Sequence, residues 1–200
     1  MFDFLEEMYG KNRIIEEIGI GQSRADVLMV TEDCLFGIEI KSDADTYQRL
    51  RRQVLDYDQY FDYNIVVVGS SHAAHIREYV PEHWGIITVE IADGDIDFYY
   101  LRKPEENREA GWEHKIALLW RPELAKLQEY LEMPKYKTYS KAFVREKILL
   151  KIQGMESEER QEFQRRVCEL LFERDYTTIF EVIQEYRVSE NKPRRRKRRR

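Results

Sequence analysis

Two short apolar runs, RADVLMV (24–30) and CLFGIEIK (34–41), are each broken by charge, with only TED between them. Their length, composition and short spacer predict a β-hairpin. Alternate residues of a strand face the same side, so Glu39 and Lys41 share one face while Ile38 and Ile40 pack the other. Asp26 joins Glu39 and Lys41 if the first run pairs with the second. A carboxylate buried in a sheet costs on the order of several kcal/mol unless a cation or hydrogen bonds compensate it. Two acids and a lysine in such strands therefore call for a counter-charge.

A hard divalent cation supplies one. Mg²⁺ takes few protein oxygens and keeps room for waters and a phosphate. Asp26, Glu39 and the Ile40 carbonyl suit that ligand set, for Mg²⁺ or for Mn²⁺ in its place. Such an ion polarises a phosphodiester and lowers the pKa of a bound water, while Lys41 steadies the hydroxide or the charge that develops on the phosphate. On spacing alone the same residues also describe an edge ion pair with a solvated acid. The flanking segments favour the metal.

Residues 2–18 carry Leu5, Met8, Ile14, Ile15 and Ile18 at helical spacing and close on GIG. This predicts a helix with Glu16 and Glu17 in its last turn. Acids there face the negative end of the helix dipole, an unfavourable placement that points to a use for one of them. Either fits the helix phase. Residues 43–62 read as a second helix, with Asp43 or Asp45 as N-cap and Leu50, Val54, Leu55 and Phe61 on its buried side. Arg49, Gln53 and Tyr57 lie four apart on one of its faces. NIVVVGS (64–70) follows as a buried strand and SHAAHIREYV as a short helix closed by Pro81. WGIITVEI and IDFYYL then form two strands joined by ADGD. From about residue 107 only helices are expected: ALLWRPELAKLQEYL, KAFVREKILLKI, ERQEFQRRVCELLFER and a last piece near IFEVIQEY.

This arrangement resembles the PD-(D/E)XK nuclease superfamily, whose αβββαβ core sets the Asp on one strand and the ExK triplet on the next, often with an acid from the first helix. RADVLMV, GIEIK and Glu17 match those positions, with Ala25 where the name motif has Pro. Gln53 and Tyr57 are similar to the QxxxY element of RecB-like members. From about residue 14 to residue 131, EIKSDADTYQRLRRQ, VVVGSSH, VPEHWGIITV and LLWRPEL resemble an uncharacterised bacterial and phage family of predicted nucleases within that superfamily.

The resemblance implies a restriction-endonuclease-like α/β fold, with a mixed central sheet flanked by helices. The nuclease-like core would span residues 1–106, a helical extension 107–190 and a basic tail 191–200. It implies a Mg²⁺- or Mn²⁺-dependent deoxyribonuclease serving repair, recombination, restriction or phage DNA processing. Asp26, Glu39 and Ile40 would sit at the metal; Lys41, Glu17 and Gln53 would assist catalysis; Arg49, Gln53 and Tyr57 would meet the substrate. A catalytically weak or inactive DNA-binding or adaptor module on the same fold is the alternative, and RNA stays open beside DNA.

Net charge is −5, yet seven of the 33 basic residues form RRRKRRR (194–200), leaving 26 basic against 38 acidic residues elsewhere. A cationic tail on an acidic body attracts phosphates whatever the sum. No apolar run nears the roughly eighteen residues of a membrane helix, and MFDFLEEMYG carries acids where a secretion signal carries bases, so a cytoplasmic protein is expected. Cys34 and Cys168 lie in apolar stretches and read as reduced core thiols. His72 and His75 lack a third metal-ligating partner, and the tryptophans at 84, 112 and 120 read as core.

Overall fold

The computed structural model describes residues 1–92 and 95–175. The chain begins with α1 (Phe2–Tyr9), which ends at Gly10 at φ +73°. β1 (Arg13–Ile20), β2 (Ser23–Val30) and β3 (Leu35–Lys41) follow. The expected first helix of 2–18 is thus two elements. Gly10 stops the helix, and the isoleucine-rich RIIEEIGI, a poor helix stretch of stiff β-branched residues, gains more by pairing with β2. Glu16 and Glu17 therefore lie on a strand.

β1 and β2 are antiparallel about a two-residue turn opened by Gly21 at φ +53°. β2 and β3 are antiparallel across the expected TED hairpin, where Thr31 N–H reaches the Cys34 carbonyl at 3.0 Å. α2 runs Leu50–Tyr60, starting later than residue 43. Residues 42–49 turn instead, because the Asp45 carboxylate accepts from Ser42 N–H (2.8 Å) and Ser42 Oγ (2.7 Å). Short polar side chains that bond nearby backbone compete with a helix in this way.

α2 crosses over to β4 (Tyr63–Gly69), which lies parallel to β3. SHAAHIREYV yields turns and a 3₁₀ segment, Ile76–Glu78. β5 (Gly85–Ala92) lies parallel to β4, and β6 (Asp95–Arg102) is antiparallel to β5. The expected ADGD turn lies partly outside the described residues, at 93 and 94. The result is one mixed six-stranded sheet in which spatial order equals chain order, β1 to β6. Then come α3 (Trp112–Lys115), α4 (Arg121–Tyr130), α5 (Lys141–Ile152) and α6 (Ser157–Phe172). The helix expected near IFEVIQEY and the basic tail lie outside the described residues. Among the described residues no helix is long and apolar enough to cross a membrane.

Helices flank both faces of the sheet. On one, α1 sets Leu5 among Val27, Met29, Phe36, Ile38, Ile65, Val67 and Ile87. On the other, α2 and the later helices share a continuous core with Ile15, Leu28, Val66, Val68 and Ile86, reaching to Val144, Ile148, Phe163 and Leu171. Buried ion pairs fasten the later helices. Lys115 pairs with Asp62, whose other oxygen accepts from Leu35 N–H and Gln164 Nε2, each at 2.9 Å. Arg174 grips both Glu123 oxygens at 2.7 Å and the Leu118 carbonyl at 2.8 Å. Cys34 and Cys168 are free thiols, Cys168 in the core and Cys34 half-buried, and burial pushes the Cys34 thiol up to about 12.

The seat of α2 depends on Gly37. A methyl group on this β3 residue would overlap the rings of Phe61 and Tyr57. Gly37→Ala is expected to cost about 1–3 kcal/mol through overpacking, read as a lowered Tm in thermal denaturation.

Candidate active site

The β2–β3 ladder runs from Val30 opposite Leu35 to Val27 opposite Ile38 and stops there. One step further, the same register would set Asp26 opposite Glu39. The strands part at that level, and Asp26 Oδ2 instead accepts the Ile40 N–H at 2.8 Å. Into this opening β3 sends Glu39 and Lys41, on the face covered by α2.

The Glu39 side chain is 1% exposed. Its Oε1 accepts from Lys41 Nζ and from Gln53 Nε2, both at 2.5 Å, and its Oε2 accepts from the Tyr57 hydroxyl at 2.6 Å. Lys41 Nζ also donates to Gln53 Oε1 at 3.1 Å. The Tyr57 oxygen in turn accepts the Asp26 N–H at 3.2 Å. One side chain of α2 thereby fixes the carboxylate of β3 against the backbone of β2.

These bonds do not fully offset burial. Desolvation raises the Glu39 pKa, against the lowering pull of the Lys41 and Tyr57 hydrogen bonds, and the Asp26 charge raises it further. Burial, and then the Glu39 charge, hold the Tyr57 hydroxyl well above its ordinary value, so it stays a donor. An added cation beside Glu39 and Asp26 would be welcomed. Two carboxylates fit the small protein share of a Mg²⁺ site, although no group of three or more acidic, histidine or cysteine side chains poised for a metal occurs among the described residues.

The residues singled out in the sequence fare differently. Asp26, Glu39, Lys41, Gln53 and Tyr57 converge. Tyr57 is fully buried, so it braces Glu39 and does not meet a substrate. Gln53 spends its amide on Glu39 and Lys41. Arg49 is exposed at the N-cap of α2, at the entrance of the helix and not on its face. Ile38 packs the far core as expected, but Ile40 is 40% exposed, since β2 has already parted from β3 beside it. Glu16 pairs with Val27, which sets Glu17 opposite Asp26.

Sequence reasoning missed Arg24, whose guanidinium meets both Glu17 oxygens at 3.3 Å; its one signal was a charge two residues before Asp26. It also missed how the β1–β2 turn docks on α2. Gly21 N–H reaches the Tyr60 hydroxyl at 3.0 Å, Ser23 Oγ reaches Asp56 at 2.5 Å, and Arg52 holds Gln22. His72 binds the Tyr47 hydroxyl through Nδ1 at 2.7 Å, joining the loop after β3 to the loop after β4. A cleft of about 1080 Å³ lies away from these acids, lined by Tyr9, Tyr63, Tyr100, Lys103 and one side of α6. Its size does not make it the reactive centre, because the convergent carboxylates and lysine are elsewhere.

Compared with known families, residues 1–192 match the one described as bacteriophage P4 protein cII. The chain belongs to the bacteriophage P4 protein cII family. No curated protein and no solved structure matches it. In this family member the Tyr57 hydroxyl ties the Glu39 carboxylate of β3 to the backbone of β2. Tyr57→Phe removes a hydrogen bond to a buried charge and is expected to cost about 1.5–3 kcal/mol of stability, measured by urea denaturation.

Proposed function

We propose that this phage-related protein is a divalent-metal-dependent nuclease of the PD-(D/E)XK type that hydrolyses phosphodiester bonds in DNA. The observation that carries the reading is the meeting of Asp26, Glu39 and Lys41 where β2 and β3 part, with Gln53 and Tyr57 bonded to Glu39. The order α1, β1–β3, α2, β4 agrees with the αβββαβ core of that superfamily, and this supports a restriction-endonuclease-like fold.

Asp26 and Glu39 would hold Mg²⁺ or Mn²⁺, with the Ile40 carbonyl beside them; when bound, the ion supplies a polarised phosphate and a water of lowered pKa. Lys41 supplies positive charge for the attacking hydroxide or the developing phosphate charge. Gln53 keeps Lys41 and Glu39 together through its two amide atoms, and Tyr57 holds the remaining Glu39 oxygen in place. Arg49, exposed where α2 begins, would take a neighbouring phosphate of the strand.

A second reading, a DNA-binding or adaptor module on this fold, draws on one observation: protein donors already occupy both Glu39 oxygens. Incubating the purified chain with plasmid and single-stranded DNA separates the two. Mg²⁺ or Mn²⁺ should support cleavage, and Asp26→Asn, Glu39→Gln and Lys41→Ala should each lower the rate by about a hundredfold or more. Undiminished cleavage by all three variants would reject the site, and DNA binding without cleavage in either metal would favour the adaptor.

The basic segment 194–200 is read as a second contact to DNA, since each cation that neutralises a phosphate releases a counterion. Deleting it should weaken DNA retention chiefly at low salt. Unchanged affinity and salt slope in filter binding would remove it from the interface.

A further inference from the structure

The ion pair between Arg24 and Glu17 sits at the edge of the acidic site. The pairs Glu16–Val27 and Ile18–Ala25 bracket Glu17 and Asp26 across the β1–β2 ladder, and Arg24, two residues before Asp26, lies diagonally across from Glu17. The guanidinium addresses the two Glu17 oxygens as a fork, Nη1 to Oε2 and Nη2 to Oε1, each at 3.3 Å. Both side chains are more than 60% exposed, at 61% and 67%. An exposed pair of this kind adds little to stability and opens readily.

Glu17 also has φ +53°, a left-handed conformation that a glutamate adopts at a cost and that gathers at functional sites. This residue breaks the alternation of β1. Ile15 before it, and Ile18 and Ile20 after it, all reach the core beneath α2, although Ile15 and Ile20 are an odd number of residues apart. The backbone of Glu17 thus lies across from that of Asp26, while its carboxylate is turned to Arg24 and forms no three-acid group with Asp26 and Glu39 among the described residues.

We propose that Arg24 is a latch on Glu17. Without nucleic acid it holds the third carboxylate away from the cation site; a phosphate that takes over the guanidinium frees Glu17 to join Asp26. A guanidinium fork fits a carboxylate and a phosphate alike, so the two compete for it directly. Cation and phosphate binding then help each other, and by linkage the help is reciprocal. The inference rests on the reading of Asp26 and Glu39 as a divalent-cation site.

The test measures Mn²⁺ affinity of the full chain by the electron paramagnetic resonance of free Mn²⁺, with no DNA present. Arg24→Ala should bind Mn²⁺ about fivefold or more tightly than the wild type. Adding Arg24→Ala to a Glu17→Gln background should bring no gain over Glu17→Gln alone. A gain that persists in the double variant is mere removal of a positive charge and overturns the latch. So does an unchanged affinity in Arg24→Ala when Asp26→Asn still abolishes binding, an outcome that leaves the cation site standing. Absence of Mn²⁺ binding in every variant overturns the cation site and the latch with it. Both altered side chains are exposed, and circular dichroism melting confirms that each variant folds.

Discussion

The hydroxyl of Tyr57 is the interaction on which the acidic site depends. It donates to Glu39 on β3 and accepts from the backbone of β2, at the level where those strands stop pairing with each other. An N–H orphaned by the parting of two strands must find another partner, and a buried carboxylate must find donors. One phenol meets both needs. Its ring reaches that point because β3 carries glycine at position 37, so backbone and aromatic ring lie in direct contact. Trp84 and Phe61 close around the same ring at centroid distances of 5.3 and 5.4 Å.

The carboxylate is consequently held rather than satisfied. Three side-chain donors fix its position, yet burial still disfavours its charge. The later helices contribute at a distance: the ion pairs of Asp62 and of Glu123 anchor them on the same core that supports α2.

The central hairpin was legible because two short apolar runs and a short polar spacer agree, and because charges inside apolar strands stand out. The strand β4 was legible as a nearly uninterrupted apolar run, and β5 and β6 as strand-forming stretches joined by turn residues. The first segment was not, since Ile14, Ile15 and Ile18 satisfy a helical period and a strand with one break equally well; Gly10 and the break at Glu17 resolve it. The start of α2 was misplaced because aspartates and serine serve as caps and as turn formers alike. Tyr57 appeared as one stop on a helix face, and its bond to Glu39 depended on the close approach at Gly37, which no local pattern announces. Arg24 escaped notice because an ion pair across a ladder is visible only once the register is known.

The sheet has the same order in space as in the chain. Each strand finds its neighbour after a short loop or one crossover, so no early segment waits for a late one to complete its ladder, and chain-closure entropy stays low at every step. Asp26, Glu39, Lys41, Gln53 and Tyr57 all lie within the first 57 residues. During synthesis, the strands and helix that shape the acidic opening can meet before α4 to α6 have left the ribosome. The core surface that Leu124, Val144, Ile148 and Phe163 will cover then stays open until those helices arrive, which leaves the nascent chain most exposed to aggregation at that stage.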